Sequence, residues 1–166
     1  MLVNQTSTLA TRALVYLALR GEPEAVSPAR LAEVLCASPT YLSKTLRMLV
    51  RVGILHAVRG ARGGVLLARA PAQISLRDIV EACQGQLFED HCGGSGEPFE
   101  VCAYHEAMRD VFAQTVAALS RWTLADLAAK PRPPARGKQQ PDCVLTCPRE
   151  ILRSNPAANG RPRRGR

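Results

Sequence analysis

Residues 38–66, SPTYLSKTLRMLVRVGILHAVRGARGGVL, set the architecture: an amphipathic helix runs there directly into a glycine-rich hairpin. Ser38 suits a helix N-cap, and Pro39 suits the first helical position, where its missing amide hydrogen would be orphaned anyway. Leu42, Leu46, Leu49 and Val50 recur at helical spacing and make one apolar face, leaving Thr40, Tyr41, Ser43, Lys44 and Arg47 on the other. Hydroxyls, an aromatic ring and cations on one exposed face can touch base edges and phosphates together. Gly53 stops the helix, and Ile54–Val58 and Val65–Leu67 read as two short strands joined by Arg59-Gly60-Ala61-Arg62-Gly63-Gly64. Arg59 and Arg62, on a tip of glycines, can approach a narrow groove with little obstruction.

Upstream, residues 5–20 carry Leu9, Ala13, Tyr16, Leu17 and Arg20 at helical intervals with no breaker before Gly21, the pattern of a supporting helix. Ser27-Pro28 repeats the cap-plus-proline start, and Leu31, Ala32 and Leu35 give a short helix joined through Ala37-Ser38 to the one already described. The two form a helix-turn-helix, and Cys36 between them reads as a small buried hydrophobe. Downstream, Ala70-Pro71-Ala72 breaks the chain and Ser75-Leu76-Arg77-Asp78 has the form of a capping box. Leu76, Ile79, Val80 and Cys83 then share one helical face that packs back on the domain.

Residues 85–100, GQLFEDHCGGSGEPFE, lack periodicity and read as a long loop. From 101 to 122, Val101, Tyr104, Met108, Val111, Phe112, Thr115, Leu119 and Trp122 recur every three or four residues. A small winged domain cannot cover so long a stripe. A homodimer that buries it would also set two reading helices ~34 Å apart on duplex DNA; a helix folded back on its own domain is the alternative. Thr123-Leu124-Ala125-Asp126 opens a last short helix, and from Lys130 onward the Pro, Gly and Arg content is that of a disordered tail.

Charge is sorted along the chain. Residues 1–77 hold ten Lys/Arg against three Glu, a net +7; residues 78–129 hold two Arg against nine acids, a net −7; the tail holds ten against two, a net +8. A basic front joined to an acidic back implies one face that meets a polyanion and another with a different role. The expected location is cytoplasmic, because no apolar run approaches the ~18 residues of a membrane span and no charged segment followed by an apolar core opens the chain. Six cysteines, at 36, 83, 92, 102, 143 and 147, are too scattered for a disulfide scaffold, which favours thiols or metal ligands. Gly60-Ala-Arg-Gly63-Gly64 lacks the ending of a phosphate loop, and Cys102 with His105 lacks an orienting third group, so no enzyme is expected.

The order SPxYLxKxLxxLVRxGIL, then VRGxRGG, then ISLxDIVEA, then a cysteine-bearing glycine loop ending CxxH, then TLADL, resembles the bacterial winged-helix repressor family that includes the iron-sulfur regulator IscR and the nitric-oxide sensor NsrR. The resemblance spans about residues 1–129 and leaves the tail outside. It implies a mainly α fold with a small β-hairpin wing: a winged helix-turn-helix over residues 1–84, and a sensor loop with a long dimerisation helix over 85–129. It further implies a homodimeric transcription regulator, a repressor, on a two-fold symmetric DNA operator. Carried onto this chain, the DNA-binding positions are Ser38, Thr40, Tyr41, Ser43, Lys44 and Arg47 on the reading helix, and Arg59 and Arg62 on the wing. A winged-helix module that binds a protein or RNA partner is the alternative.

The same resemblance implies an iron-sulfur cluster in the loop, with Cys92, Cys102 and His105 at the ligand positions. Family members that hold a cluster usually present three cysteines there, whereas GGSGEPFEV separates Cys92 from Cys102. Thiolate and imidazole are both iron ligands. A fourth ligand would come from Glu97, His91, the partner subunit, or the CxxxC pair Cys143 and Cys147. A zinc site, a thiol switch and a site that has lost its cofactor stay open beside the cluster.

Overall fold

The computed structural model describes residues 3–21, 24–60, 63–87 and 103–129. The helix expected to be supporting forms, and lies at the centre of the fold. α1 (Gln5–Arg20) buries Leu9, Ala10, Ala13, Leu14, Val15, Tyr16, Leu17 and Leu19, far more than one stripe. Ala10 and Ala13 are fully buried and, being small, let neighbouring helices come close. The Asn4 carboxamide accepts from the Ser7 amide at 2.8 Å to start the helix, and Gly21 at φ 62° ends it.

α2 (Pro28–Leu35) starts as its sequence predicts, with Ser27 Oγ accepting from the Arg30 amide. Its end is closed three ways. The Cys36 amide donates to Glu33 O at 3.2 Å and the Ala37 amide to Ala32 O at 3.0 Å, the paired bonds of a Schellman turn. The Arg12 guanidinium, from α1, donates to Leu35 O at 2.9 Å. Cys36 holds the left-handed position of this turn, at φ 50°, and is exposed. The expectation of a buried Cys36 is therefore corrected: the residue just past a helix end in this geometry turns away from the apolar face.

α3 (Pro39–Arg51) buries Leu42, Leu46 and Leu49 and half-buries Val50, as the spacing predicts. Ser38 sits at the N-cap in extended backbone, but its hydroxyl makes no capping bond. Thr45 is fully buried because its hydroxyl donates to Tyr41 O at 3.0 Å, one turn back, and so carries no unmet polar group into the core.

The wing is an antiparallel pair, β1 (Leu55–Val58) and β2 (Gly64–Leu67), in the register Leu55 to Leu67 and Val58 to Gly64. The chain between α1 and α2 adds a short third rung. Val26 and Val65 exchange two amide-carbonyl bonds of 2.9 Å each. Gly64 is required at this crossing, since a Cβ there would stand 2.3 Å from Val26 O.

A single 3-10 turn at Pro71–Gln73 leads to α4 (Leu76–Gln84), which opens with the expected capping box of Ser75 and Asp78. Ile79 and Val80 are fully buried, while Leu76 and Cys83 are half-buried. α5 (Ala103–Arg121) and α6 (Leu124–Ala129) follow. Thr123 and Asp126 form a second box: the Thr123 amide donates to the Asp126 carboxylate at 2.9 Å, and the Asp126 amide to Thr123 Oγ1 at 3.2 Å. The two boxes lie against each other, with the Leu76 amide donating to Trp122 O and the Leu124 amide to Ile74 O, both at 2.8 Å. This double rung fastens the end of α5 to the domain, and Leu124 is fully buried in the core beside it.

Candidate nucleic-acid interface

Of the residues expected to face a nucleic acid, Ser38 at the N-cap and Thr40, Tyr41, Lys44 and Arg47 on α3 are exposed, and Ser43 is half-buried. The buried leucines fix which way the helix turns, so this row and the core row lie on opposite faces. Lys44, Arg47, Arg51 and Arg59 are all exposed, and none takes part in an ion pair among the described residues. With no described carboxylate paired to them, the potential they create extends outward. Val52 and Val58, beside the end of α3 and on the wing, are large apolar side chains left exposed on the same segment. Arg62 lies outside the described residues.

Two interactions that sequence reasoning missed set the geometry of this surface. The Arg69 guanidinium, just past β2, donates to Val52 O at 2.9 Å and to Gly53 O at 3.0 Å. It closes the carbonyl end of α3 and ties the outgoing wing strand to that helix, so its charge serves positioning. At the other end of α3, the Tyr41 hydroxyl lies 2.6 Å from Thr6 Oγ1 in the first turn of α1. No local pattern signals either interaction, because the partners are distant in sequence and belong to no motif.

Of the candidate sensor residues, Cys92 and Cys102 lie outside the described residues, and His105 belongs to the first turn of α5, with its side chain outside them. Cys143 and Cys147, and Glu97 and His91 as further ligands, also fall outside. Among the cysteines described, Cys83 is half-buried on α4, and burial pushes its thiol up to about 11. It is a neutral core thiol at ordinary pH, as its place on the apolar face predicts.

On α5 the expected apolar stripe divides. Leu119 is buried; Met108, Phe112 and Thr115 are half-buried; Tyr104 at 69%, Val111 at 55% and Trp122 just beyond the helix at 43% stand exposed. No helix among the described residues is long and apolar enough to cross a membrane.

Comparison with known proteins agrees with this architecture. The family described as "Rrf2: Iron-dependent Transcriptional regulator" matches residues 3–130. The HTH-type transcriptional regulator slr0846 of Synechocystis is 36% identical over 129 residues, covering 76% of this chain and 87% of that protein. The HTH-type transcriptional repressor NsrR of Streptomyces coelicolor is 30% identical over 137 residues, covering 81% of this chain and 93% of its own. The solved structure of T. potens IscR superposes with a TM-score of 0.63 at 28% identity, covering 83% of this chain and 93% of its own. With a matching family profile over most of its length, and helices and wing in the order such regulators share, this chain belongs to the Rrf2 family of transcriptional regulators, which are not enzymes.

Proposed function

We propose that this protein is a cytoplasmic repressor that binds a two-fold symmetric duplex as a homodimer. In this reading α3 enters the major groove with Ser38, Thr40, Tyr41, Ser43, Lys44 and Arg47, and the wing brings Arg59 and Arg62 to the adjacent backbone or minor groove. The observation that carries it is the set of Lys44 and Arg47 on α3 and Arg59 on the wing, in no ion pair among the described residues, beside exposed hydroxyls on a helix whose other face is locked into the core. Exposed Tyr104, Val111 and Trp122 support a dimer through α5, since a second copy is the economical cover for such side chains. Residues 1–84 then bind DNA, 85–129 dimerise and receive a signal, and the basic tail from 130 adds sequence-independent attraction.

The donor set in the loop is compatible in kind with an iron-sulfur cluster, because two thiols and an imidazole are ligands that iron accepts. Cys92, Cys102 and His105 would hold it, one protein ligand short of four. When bound, such a group supplies sensitivity to redox state, nitric oxide or iron supply; the residues of the chain supply its ligation and the link to α5.

The test begins with the visible spectrum and the iron, sulfide and zinc content of protein purified without oxygen, followed by duplex selection from a random pool. Enrichment of a palindrome, with Lys44→Ala and Arg59→Ala each weakening binding and Lys44→Ala lowering the salt slope by about one, supports the DNA reading. Unchanged affinity in both variants would refute the docking. A colourless, iron-free protein that still binds the palindrome would keep the regulator and remove the cluster, leaving zinc or thiol chemistry to the metal assay.

A further inference from the structure

The Thr6 and Tyr41 hydroxyls, 2.6 Å apart, join the first turn of α1 to the first turn of α3. The contact is solvent-accessible: Tyr41 is 39% exposed and Thr6 half-buried. Two hydroxyls that share one hydrogen bond use one of their two protons. Whichever of the pair donates inward, one O–H remains to donate outward. The Thr45 hydroxyl does not compete for it, since it bonds the Tyr41 carbonyl instead. A neutral donor at the first turn of a reading helix, where the groove wall passes, suits a phosphodiester oxygen.

We propose that Thr6 and Tyr41 form a composite phosphate contact, in which Thr6, on a helix outside the helix-turn-helix, completes the DNA surface by orienting the Tyr41 hydroxyl toward one backbone phosphate. The proposal rests on the DNA-binding reading above. It gives the central helix a second role, since α1 carries the core while its first turn fixes a side chain on the reading helix.

The full-length protein, with Thr6→Val, Tyr41→Phe and the double variant, tests it against the selected palindrome and against a scrambled duplex. Both substitutions keep shape and remove only the hydroxyl, and thermal melting checks that each variant folds. The expected result is a loss of about tenfold in affinity for either single variant, of similar size on both duplexes, with the double variant no weaker than the worse single. The salt slope stays at the wild-type value, because a neutral hydroxyl displaces no counterion, which separates this contact from that of Lys44. Wild-type affinity in Thr6→Val, or fully additive losses in the double variant, would overturn the composite contact while leaving DNA binding intact. If the wild-type chain binds neither duplex, the DNA reading itself falls, and this proposal with it.

Discussion

Replacing Gly64 with alanine tests the way the wing is fastened. Gly64 does not have a positive φ, so its conformation is open to any residue. By that measure alone Gly64→Ala would stabilise the protein by about 0.4–1 kcal/mol, through a less flexible unfolded chain. The packing reverses the sign. The new Cβ would lie 2.3 Å from Val26 O, 2.4 Å from Val26 C and 2.8 Å from Ser27 N, all of them backbone atoms that no rotamer change can move. Relief requires parting the Val26–Val65 rung, which gives up two hydrogen bonds of 2.9 Å, each about 0.5–1.5 kcal/mol net. It also admits water to Val26 and Val65, now 3% and 5% exposed, at a partial share of the ~1.5–3 kcal/mol of full valine burial. The strain wins, and the net cost is about 2–4 kcal/mol. Thermal melting followed by circular dichroism should show a midpoint on the order of 10 °C lower. Gly21→Ala is the control: it meets left-handed strain at φ +62° but no atom within 4 Å, so it should cost only about 1 kcal/mol. A Gly64→Ala midpoint within a degree of wild type, or above that of Gly21→Ala, would refute the close crossing of wing and α1–α2 connection.

Other outcomes follow from the same geometry. Cys36→Gly should raise the melting midpoint by a few degrees, corresponding to about 1 kcal/mol, because glycine relieves the left-handed backbone at φ 50° in the Schellman turn. Asp126→Ala should lower stability by about 1 kcal/mol, through loss of the carboxylate that accepts from the Thr123 amide and hydroxyl at 2.9 and 2.6 Å. Peptide mapping after brief alkylation at pH 8 should find Cys36 modified and Cys83 protected, and equal labelling of the two would contradict the burial of Cys83. Since folding raises the Cys83 thiol from 9.0 to about 11, its contribution to stability is complete below pH 9 and lost as pH rises through about 11. Urea midpoints of wild type and Cys83→Ser should therefore diverge least at the alkaline end of that range.

Legibility in the sequence followed the range of the interactions. Ser27-Pro28, Ser75 through Asp78 and Gly53 act within a turn of helix, and each stands where its residue type predicts. The α3 core row was legible because helical period alone separates Leu42, Leu46 and Leu49 from Lys44 and Arg47. Ser38 shows the limit of residue type: the right residue occupies the N-cap and makes no capping bond. The central place of α1 was not legible in the stripe of Leu9, Ala13, Tyr16 and Leu17, because Ala10, Leu14, Val15 and Leu19, off that stripe, are buried as well. The Val26–Val65 rung, the Arg69 tie and the Thr6–Tyr41 pair join residues far apart in sequence, where spacing holds no information. For the sensor loop the sequence supplies donor types and order, and Cys92 and Cys102 lie outside the described residues.

The two capping boxes bear on how α5 relates to the reading surface. On the inward face of α5 burial deepens toward its end: Tyr104 is exposed, Met108, Phe112, Thr115 and Val116 are half-buried and Leu119 is buried, while Ala117, Ala118, Ser120 and Arg121 are exposed. Just past its end, the Leu76 to Trp122 and Leu124 to Ile74 bonds lock the chain to the start of α4, whose Ile79 and Val80 pack fully into the core. α5 is thus fastened at its carboxyl end, while among the described residues its first turns are the more exposed, next in sequence to the segment that carries Cys92 and Cys102. From that segment the first turns of α5 are next in sequence, whereas α3 lies on the far side of the core around α1 and α4. In the reading proposed above, a change there would fall first on Tyr104 and Val111, the exposed side chains proposed to meet a second copy. In the proposed dimer, a change received there would alter the spacing of the two reading helices more readily than the conformation of either one, because each reading helix is held by fully buried residues.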